Sequence, residues 1–170
     1  MKARYPSAIK SVQLATFAVT FGATGQASQN ATITAVDPAK SIVELIAGPS
    51  CRYYSGSDQW GGWLGAALAD STTLTCYRNI TSFAGTSQTV HLTFQVTEYY
   101  EKPKSLQVVA GNGSASQTIA AVDTGRARLV SAFLFTNMAQ EIYVSSLAST
   151  AVTWSRALDS YAAKYQVVEQ

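Results

Sequence analysis

The stretch TVHLTFQVTEY, residues 89–99, alternates between apolar and polar side chains over eight successive positions. Successive side chains of a β-strand point to opposite faces of the sheet, so this period of two is typical of a strand with one buried face. We therefore predict a half-buried strand here, with an apolar face and a polar face. The apolar set is Val90, Leu92, Phe94 and Val96, and the polar set is His91, Thr93, Gln95 and Thr97.

Part of this stretch returns near the end of the chain, and three other segments return with it in the same order. All of them are rich in strand-forming residues. Four ordered matches at such a spacing predict a tandem duplication. The matched pairs are KSVQ (10–13) with KSLQ (104–107), ITAVD (33–37) with IAAVD (119–123), TLTCYR (73–78) with AVTWSR (151–156), and FQVTE (94–98) with YQVVE (165–169).

Short strands separated by Gly-rich and Ser-rich connections predict an all-β fold. We expect two tandem, related modules, each a small β-sandwich or barrel. The first covers residues 1–100, with residues 1–9 as an N-terminal arm, and the second, smaller one covers residues 101–170. The alternative is one sandwich in which each repeat supplies a sheet. A single short helix is expected at residues 145–149.

Composition narrows the class of function. Only 13% of the 170 residues are charged, whereas about 25% is usual, and 47% are hydrophobic. Charge is depleted where proteins bury surface against each other, so this balance suits a protein that assembles with others. The net charge of +2, without a Lys or Arg run, argues against nucleic-acid binding. Absence of a long apolar run predicts no signal peptide and no membrane span.

The chain offers few groups for catalysis. Its one histidine, His91, has no evident nucleophile or orienting partner, so we interpret it as a solvated or interface residue. Asp58 and Asp70 are the one carboxylate pair that we consider for a glycosidase. Two cysteines and one histidine lack the spacing of a zinc site. We predict no enzyme activity, no catalytic residue, no cofactor and no metal.

Cys51 and Cys76 are the two cysteines of the chain. Protein made and kept inside a cell normally holds such a pair reduced, which predicts two free, half-buried thiols. A disulfide that closes the loop between them is the alternative, and the sequence does not decide between the two.

Two pairs of polar residues occupy matched places in the repeat. Asp37 and Asp123 each follow a strand, where an aspartate can accept the backbone amide two residues on and start a turn. Arg78 and Arg156 are also matched, and we expect each to pair with a carboxylate at a subunit contact.

Residues 51–65, CRYYSGSDQWGGWLG, lie in a connection that the first half has lengthened. Asp37 to Leu68 spans 31 positions, whereas Asp123 to Leu147 spans 24. The aromatic rings could stack on sugars, anchor a protein interface, or, from Trp63 onward, begin a strand of the core. The candidate interface or ligand residues are Tyr53, Tyr54, Asp58, Trp60 and Trp63.

The segments IKSVQLATFAV, ATITAVDPAKSIVELIAG, TTLTCYRN and TVHLTFQVTEY together resemble small all-β structural proteins of tailed-bacteriophage virions, whose pattern is K-S-[IV]-Q … A-T-I-T-x-V … F-Q-V-x-E. The likeness covers the first hundred residues best. Leu14 and Ala15 stand where Arg-Gly would be expected. The resemblance implies a structural role in capsid decoration, at the head–tail junction or in tail attachment, and by analogy a trimer. It transfers no catalytic residue.

Three hypotheses follow. The first is a non-enzymatic decoration (cement) protein, located in the virion, whose partners are capsid or other virion proteins and further copies of the chain. The second is a tail-fibre or receptor-binding component that contacts a host-surface glycan through residues 51–65. The third is a polysaccharide hydrolase. Neither nucleic acid nor a membrane is expected as a partner.

Overall fold

The computed structural model describes residues 8–21, 25–47, 62–80, 88–135 and 143–170. Within these ranges the chain forms thirteen β-strands and a short 3-10 turn at Pro38–Lys40, so the predicted all-β class is confirmed. The strands are β1 (Ile9–Phe21), β2 (Gly25–Thr32), β3 (Ser41–Ala47), β4 (Gly62–Leu68), β5 (Thr73–Ile80), β6 (Gln88–Tyr99), β7 (Ser105–Ala110), β8 (Ser116–Thr118), β9 (Ala127–Ser131), β10 (Phe133–Phe135), β11 (Val144–Leu147), β12 (Ala151–Trp154) and β13 (Lys164–Glu169).

The first half of the chain folds into two antiparallel sheets. Strands β1, β6 and β3 form the first sheet, in that order, and β4, β5 and β2 lie in the second sheet. Their inner faces share one core, because alternate residues of each strand point inward. Strand β6 shows the predicted alternation: Leu92, Phe94 and Val96 are completely buried, and His91 is exposed. Phe17 of β1 meets Phe94 edge-to-face at 5.9 Å.

The second half repeats this plan on a smaller scale. Strands β7, β13 and β9 form the third sheet, and β11, β12 and β8 form the fourth. Its core is aromatic: the ring of Trp154 lies 5.2 Å from that of Tyr165 and 5.4 Å from that of Phe133. Edge-to-face packing of this kind is favourable for rings at such distances.

Strand order and register agree between the two halves. In both, the last strand is central and pairs with the first and the third strands. Ser41 lies opposite Glu98 in the first sheet, and its sequence counterpart Ala127 lies opposite Glu169 in the third. The connections agree as well, since the amide of Ile33 donates to Thr72 O as that of its counterpart Ile119 donates to Thr150 O. Each half contains two facing sheets, so the alternative of one sheet per repeat is wrong.

Two successive strands of the second half, β9 and β10, connect the two halves. Strand β9 pairs with β13 in the third sheet, and after Ala132 the chain continues as β10, which pairs with β4 at the edge of the second sheet. The amide of Ala66 donates to Ala132 O at 2.8 Å, and the amide of Ala132 donates to Lys164 O at 3.1 Å. The second sheet therefore has four strands, one of them supplied by the second half.

The expected helix at residues 145–149 is wrong. Val144–Leu147 is strand β11, which pairs with β12 and leaves its two serines exposed. Pairing with a neighbouring strand outweighs the weak helical preference of so short a segment. The predicted module boundary, between residues 100 and 101, falls between the end of β6 at Tyr99 and the start of β7 at Ser105. Strand β1 begins at Ile9, the last residue assigned to the N-terminal arm.

Candidate functional site

A buried carboxylate ties three segments of the first half together. The side chain of Glu98, at the end of β6, is 2% exposed and accepts hydrogen bonds from the Asp37 amide at 3.0 Å and from Lys10 Nζ at 2.9 Å. Ser11 Oγ adds a longer bond of 3.3 Å. We call Lys10, Ser11, Asp37 and Glu98 the first clamp. The Asp37 amide and then Lys10 hold the pKa of Glu98 below its usual range.

The second half contains the same arrangement at the matched positions. Glu169 is buried at the end of β13 and forms an ion pair with Lys104. The hydrogen bond from Lys104, and then that from the Asp123 amide, lower the pKa of Glu169. We call Lys104, Asp123 and Glu169 the second clamp. In both halves the clamp joins the start of the first strand and the turn before the third strand to the end of the last strand.

The glutamine of each K-S-x-Q segment bonds the backbone of the residue three positions before the clamp aspartate. Gln13 Nε2 donates to Thr34 O at 2.9 Å, and the Thr34 amide donates to Gln13 Oε1 at 2.7 Å. Gln107 makes the same two bonds with Ala120, at 3.0 and 2.7 Å. A side-chain amide can satisfy a backbone donor and acceptor together in this way. The repeated K-S-x-Q residues therefore have a structural use.

The two matched aspartates lie in these turns. Asp37 Oδ1 accepts the amide of Ala39 at 2.9 Å, and Asp123 Oδ1 accepts the amide of Gly125 at 3.0 Å. This is the contact expected of an aspartate that starts a turn. In addition, the backbone amide of each aspartate donates to the clamp carboxylate.

The matched arginines lie away from the clamps. Arg78 is half-buried on β5, and Arg156 is exposed two residues after the end of β12. Their proposed pairing with carboxylates at a subunit contact stays a prediction.

Most of the candidate interface or ligand residues, namely Tyr53, Tyr54, Asp58 and Trp60, lie outside the described residues. Trp63 is in β4, opposite Asn79 of β5 and Phe135 of β10, and the next residue, Leu64, is completely buried. The interpretation of the segment from Trp63 onward as the start of a core strand is thus confirmed. A glycan or protein contact by the rest of the loop stays a prediction.

Cys76 lies in the core and Asp70 lies in a turn. Cys76 is buried on β5 with a free thiol, and burial raises its pKa to about 12, whereas Cys51 lies outside the described ranges. Asp70 Oδ1 accepts the amide of Thr72 at 2.7 Å, which lowers the pKa of Asp70 and fixes a turn between β4 and β5. Its separation from Asp58 is not defined by the described residues.

Gln166 is a functional-looking residue that the sequence reasoning missed. It is 4% exposed in β13, yet its side chain crosses to the first half, where Oε1 accepts the Val43 amide at 2.6 Å and Nε2 donates to Ser41 O at 3.2 Å. Its counterpart Gln95 bonds only locally, to Thr97 Oγ1 at 2.9 Å. The repeated Gln in FQVTE and YQVVE was the available signal.

The outer face of the first sheet carries exposed apolar residues. Val12 is 51% exposed and Leu14 is 62% exposed, and they lie opposite Thr97 and Gln95 of β6. Glu44 of β3 completes this face and is also exposed. Scattered apolar residues are common on surfaces, but adjacent ones in one row on an otherwise ordered sheet suit a contact with another protein.

The described part of the chain shows no group of three or more His, Cys, Asp or Glu side chains placed to hold a metal ion. Among the same residues, no helix has the length and apolar character needed to span a membrane. Comparisons with protein-family models, with curated proteins and with solved structures gave no match to the chain. The resemblance to phage virion proteins therefore stays a prediction.

Proposed function

We propose that the chain is a non-enzymatic structural protein of a tailed-bacteriophage particle, a decoration (cement) protein that bridges neighbouring capsid subunits. The sequence resemblance and the low charge support the class. The observation that carries the proposal is the use of the repeated polar residues: in both halves they hold strand ends and turns.

The clamps support a structural role because their carboxylates are already bonded within the protein. The carboxylate of Glu98 accepts three hydrogen bonds from the protein itself, and the lowered pKa keeps it ionised at neutral pH. A general base needs the opposite, a raised pKa and a free site beside it. Glu169 is also buried and ion-paired with Lys104, and its pKa is lowered in the same way.

We further infer that the two halves arose by tandem duplication. Support comes from the four matched sequence segments, from the common strand order and register, and from the matched clamps. Under this proposal, the connections that differ between the halves carry the contacts specific to each half, since loops on a fixed scaffold are where binding properties diverge.

Copy number tests the cement role. Purified virions analysed by quantitative gel should contain this chain in numbers comparable to those of the capsid subunit, because each copy bridges neighbouring subunits. Particles lacking the chain should release DNA at a lower temperature than complete particles. A handful of copies per particle would contradict the proposal and would favour a tail component instead.

The receptor-binding alternative has a separate test in the same particles. Trp60→Ala combined with Trp63→Ala should leave host adsorption unchanged if the chain decorates the capsid. Loss of adsorption by particles that still assemble would replace the cement role with glycan recognition through residues 51–65.

A further inference from the structure

The two halves contact each other through surfaces that are not equivalent. The first half contributes residues 41–43 of β3, which we call the docking edge. The second half contributes the outer face of the third sheet, which we call the receiving face. Ile42 of the edge packs against Val130 and Val168 of the face, and Gln166 of the face bonds the backbone of the edge. A contact of this kind between related bodies is heterologous and leaves one surface of each kind unused.

The unused receiving face belongs to the first half. It is the outer face of the first sheet, and strand register identifies its residues one by one. Leu106 is half-buried in the contact between the halves, whereas its counterpart Val12 is 51% exposed. The counterparts of Leu106, Val130, Gln166 and Val168 are Val12, Glu44, Gln95 and Thr97. Val12 and Glu44 are exposed, Gln95 is half-buried, and Thr97 is only 7% exposed, so the accessible part of this face is its Val12 and Glu44 side.

The unused docking edge belongs to the second half. It consists of residues 127–129 of β9, the counterparts of residues 41–43, and β9 is an edge strand of the third sheet. Ile42 is buried in the existing contact, whereas its counterpart Arg128 is exposed.

Charge on the two unused surfaces is complementary. In the existing contact, Ile42 of the edge meets Val130 of the face. The same two places on the unused surfaces hold Arg128 and Glu44, so an apolar pair has become a pair of opposite charges on both sides at once. Arg and Glu can form two parallel hydrogen bonds in such a place. Gln95 repeats Gln166 and can reach the backbone of an edge strand in the same manner.

We propose that the outer face of the first sheet in one copy binds β9 of a second copy, head to tail. Glu44 pairs with Arg128 of the second copy, Gln95 bonds the backbone of its β9, and Val12 becomes covered. A repeated contact of this type closes into a ring or extends as a filament, according to the rotation between copies. The inference goes beyond the proposed function, because this association needs no capsid.

Purified full-length protein tests this by sedimentation velocity over a range of concentrations. The unmodified chain should associate, and Glu44→Arg and Arg128→Glu should each raise the dissociation constant about tenfold or more, since like charges then meet. An equimolar mixture of the two variants should associate again, because every contact between unlike variants joins opposite charges. A monomeric unmodified chain, or a mixture no better than either variant alone, would overturn the proposal.

Two lysine substitutions on β1 provide matched controls. Val12→Lys should weaken association about tenfold, because the counterpart Leu106 is packed in the existing contact. Leu14→Lys should change it about threefold or less, since its counterpart Val108 stays 60% exposed there. Equal effects of the two would place the contact elsewhere. Both sites are exposed, so thermal unfolding should stay unchanged. Copy number in virions does not enter these measurements, and either proposal can fail alone.

Discussion

The two halves of the molecule keep the same polar contacts but fill their cores with different side chains. Glu98 and Glu169 each pair with the lysine at the start of the half, and Gln13 and Gln107 make the same pair of bonds. Matched core positions differ in size in both directions. Phe17, Cys76 and Leu92 of the first core correspond to Gly111, Trp154 and Ala163 of the second.

The difference follows from what each kind of contact requires. A buried carboxylate needs hydrogen-bond donors at fixed positions. Burying it without them costs more free energy than the hydrogen bonds themselves contribute. An apolar core needs mainly a filled volume, so a large ring on one strand can compensate for a small residue on another. Trp154 is large where Cys76 is small, while Ala163 is small where Leu92 is large. The clamps therefore define what the two halves have in common.

The largest expected effect comes from Gly65→Ala, which acts where the halves touch. A Cβ at this position would lie 2.0 Å from Ala162 O and 3.0 Å from Ala132 O, and both are backbone atoms that cannot rotate away. We expect a loss of about 3 kcal/mol in the free energy of unfolding, measured by urea titration.

Gly125→Ala is the matched control for that substitution. The nearest atom to its added Cβ is Asp123 Oδ1 at 3.4 Å, an ordinary contact distance, and the turn bond from the residue 125 amide remains. We expect a change within about 0.5 kcal/mol. Equal losses in the two variants would show that the contact between the halves contributes little.

Gln166→Ala and Gln95→Ala compare the same residue in two roles. The first removes both partners of the buried backbone groups Val43 N and Ser41 O, and we expect a loss of about 2–3 kcal/mol. The second removes one local bond to Thr97 Oγ1, with an expected loss of about 0.5–1 kcal/mol. Chemical unfolding of both variants measures the difference, and a larger loss for Gln95→Ala would reverse our assignment of the docked face.

Gln13→Ala and Gln107→Ala should lower the free energy of unfolding by equal amounts. Each removes a donor and an acceptor that bond one exposed turn residue, Thr34 or Ala120. A loss of about 1 kcal/mol is expected in both cases. If one variant lost all of its stability and the other none, the two turn contacts would not be equivalent in energy despite their common geometry.

The clamps also predict a pH dependence of stability. The pKa values of Glu98 and Glu169 are lowered from the ordinary 4.5 in the folded chain, so both carboxylates contribute stability above pH 4.5 that is lost as the pH falls through their folded pKa. The melting temperature should therefore fall as the pH decreases below about 4.5.

The double variant Glu98→Gln with Glu169→Gln should show a flatter profile over this range, because a glutamine does not titrate. Asp70→Asn is the control, since Asp70 also has a lowered pKa but bonds only its own turn. Its profile should flatten less than that of the double variant, because the substitution removes one exposed turn carboxylate and not two buried ones. An equally steep profile in the double variant would move the acid sensitivity to other carboxylates.

Much of the fold could be predicted from local pattern. The alternation in residues 89–99 identified β6, and three of the four repeated segments identified strands that occupy matched places in the two halves. The fourth pair, ITAVD (33–37) and IAAVD (119–123), lies between strands. The turns at Asp37 and Asp123 could be predicted because an aspartate side chain readily accepts the backbone amide two residues on. These features depend on neighbours close in sequence, which is why one sequence contains enough information for them.

The rest depends on residues far apart in the chain. Lys10 and Glu98 are separated by 88 positions, and neither residue alone indicates a buried carboxylate. The segment ARLVSAFLF, residues 127–135, has no clear alternation, and it contains β9 and β10, which pair in different sheets. Which sheet a strand joins depends on edge strands available elsewhere, here β4, and not on its own pattern.

The passage of the chain at Ala132 from the third sheet to the second also bears on synthesis. During translation the first half can form most of its strands soon after they leave the ribosome, but β4 gains its second partner, on the side away from β5, only with Phe133–Phe135. Until then β4 is an edge strand whose outer backbone groups can pair with another nascent chain. We therefore expect a truncated chain that ends near residue 100 to aggregate. The first half is protected from pairing with other chains only after most of the second half has been synthesised.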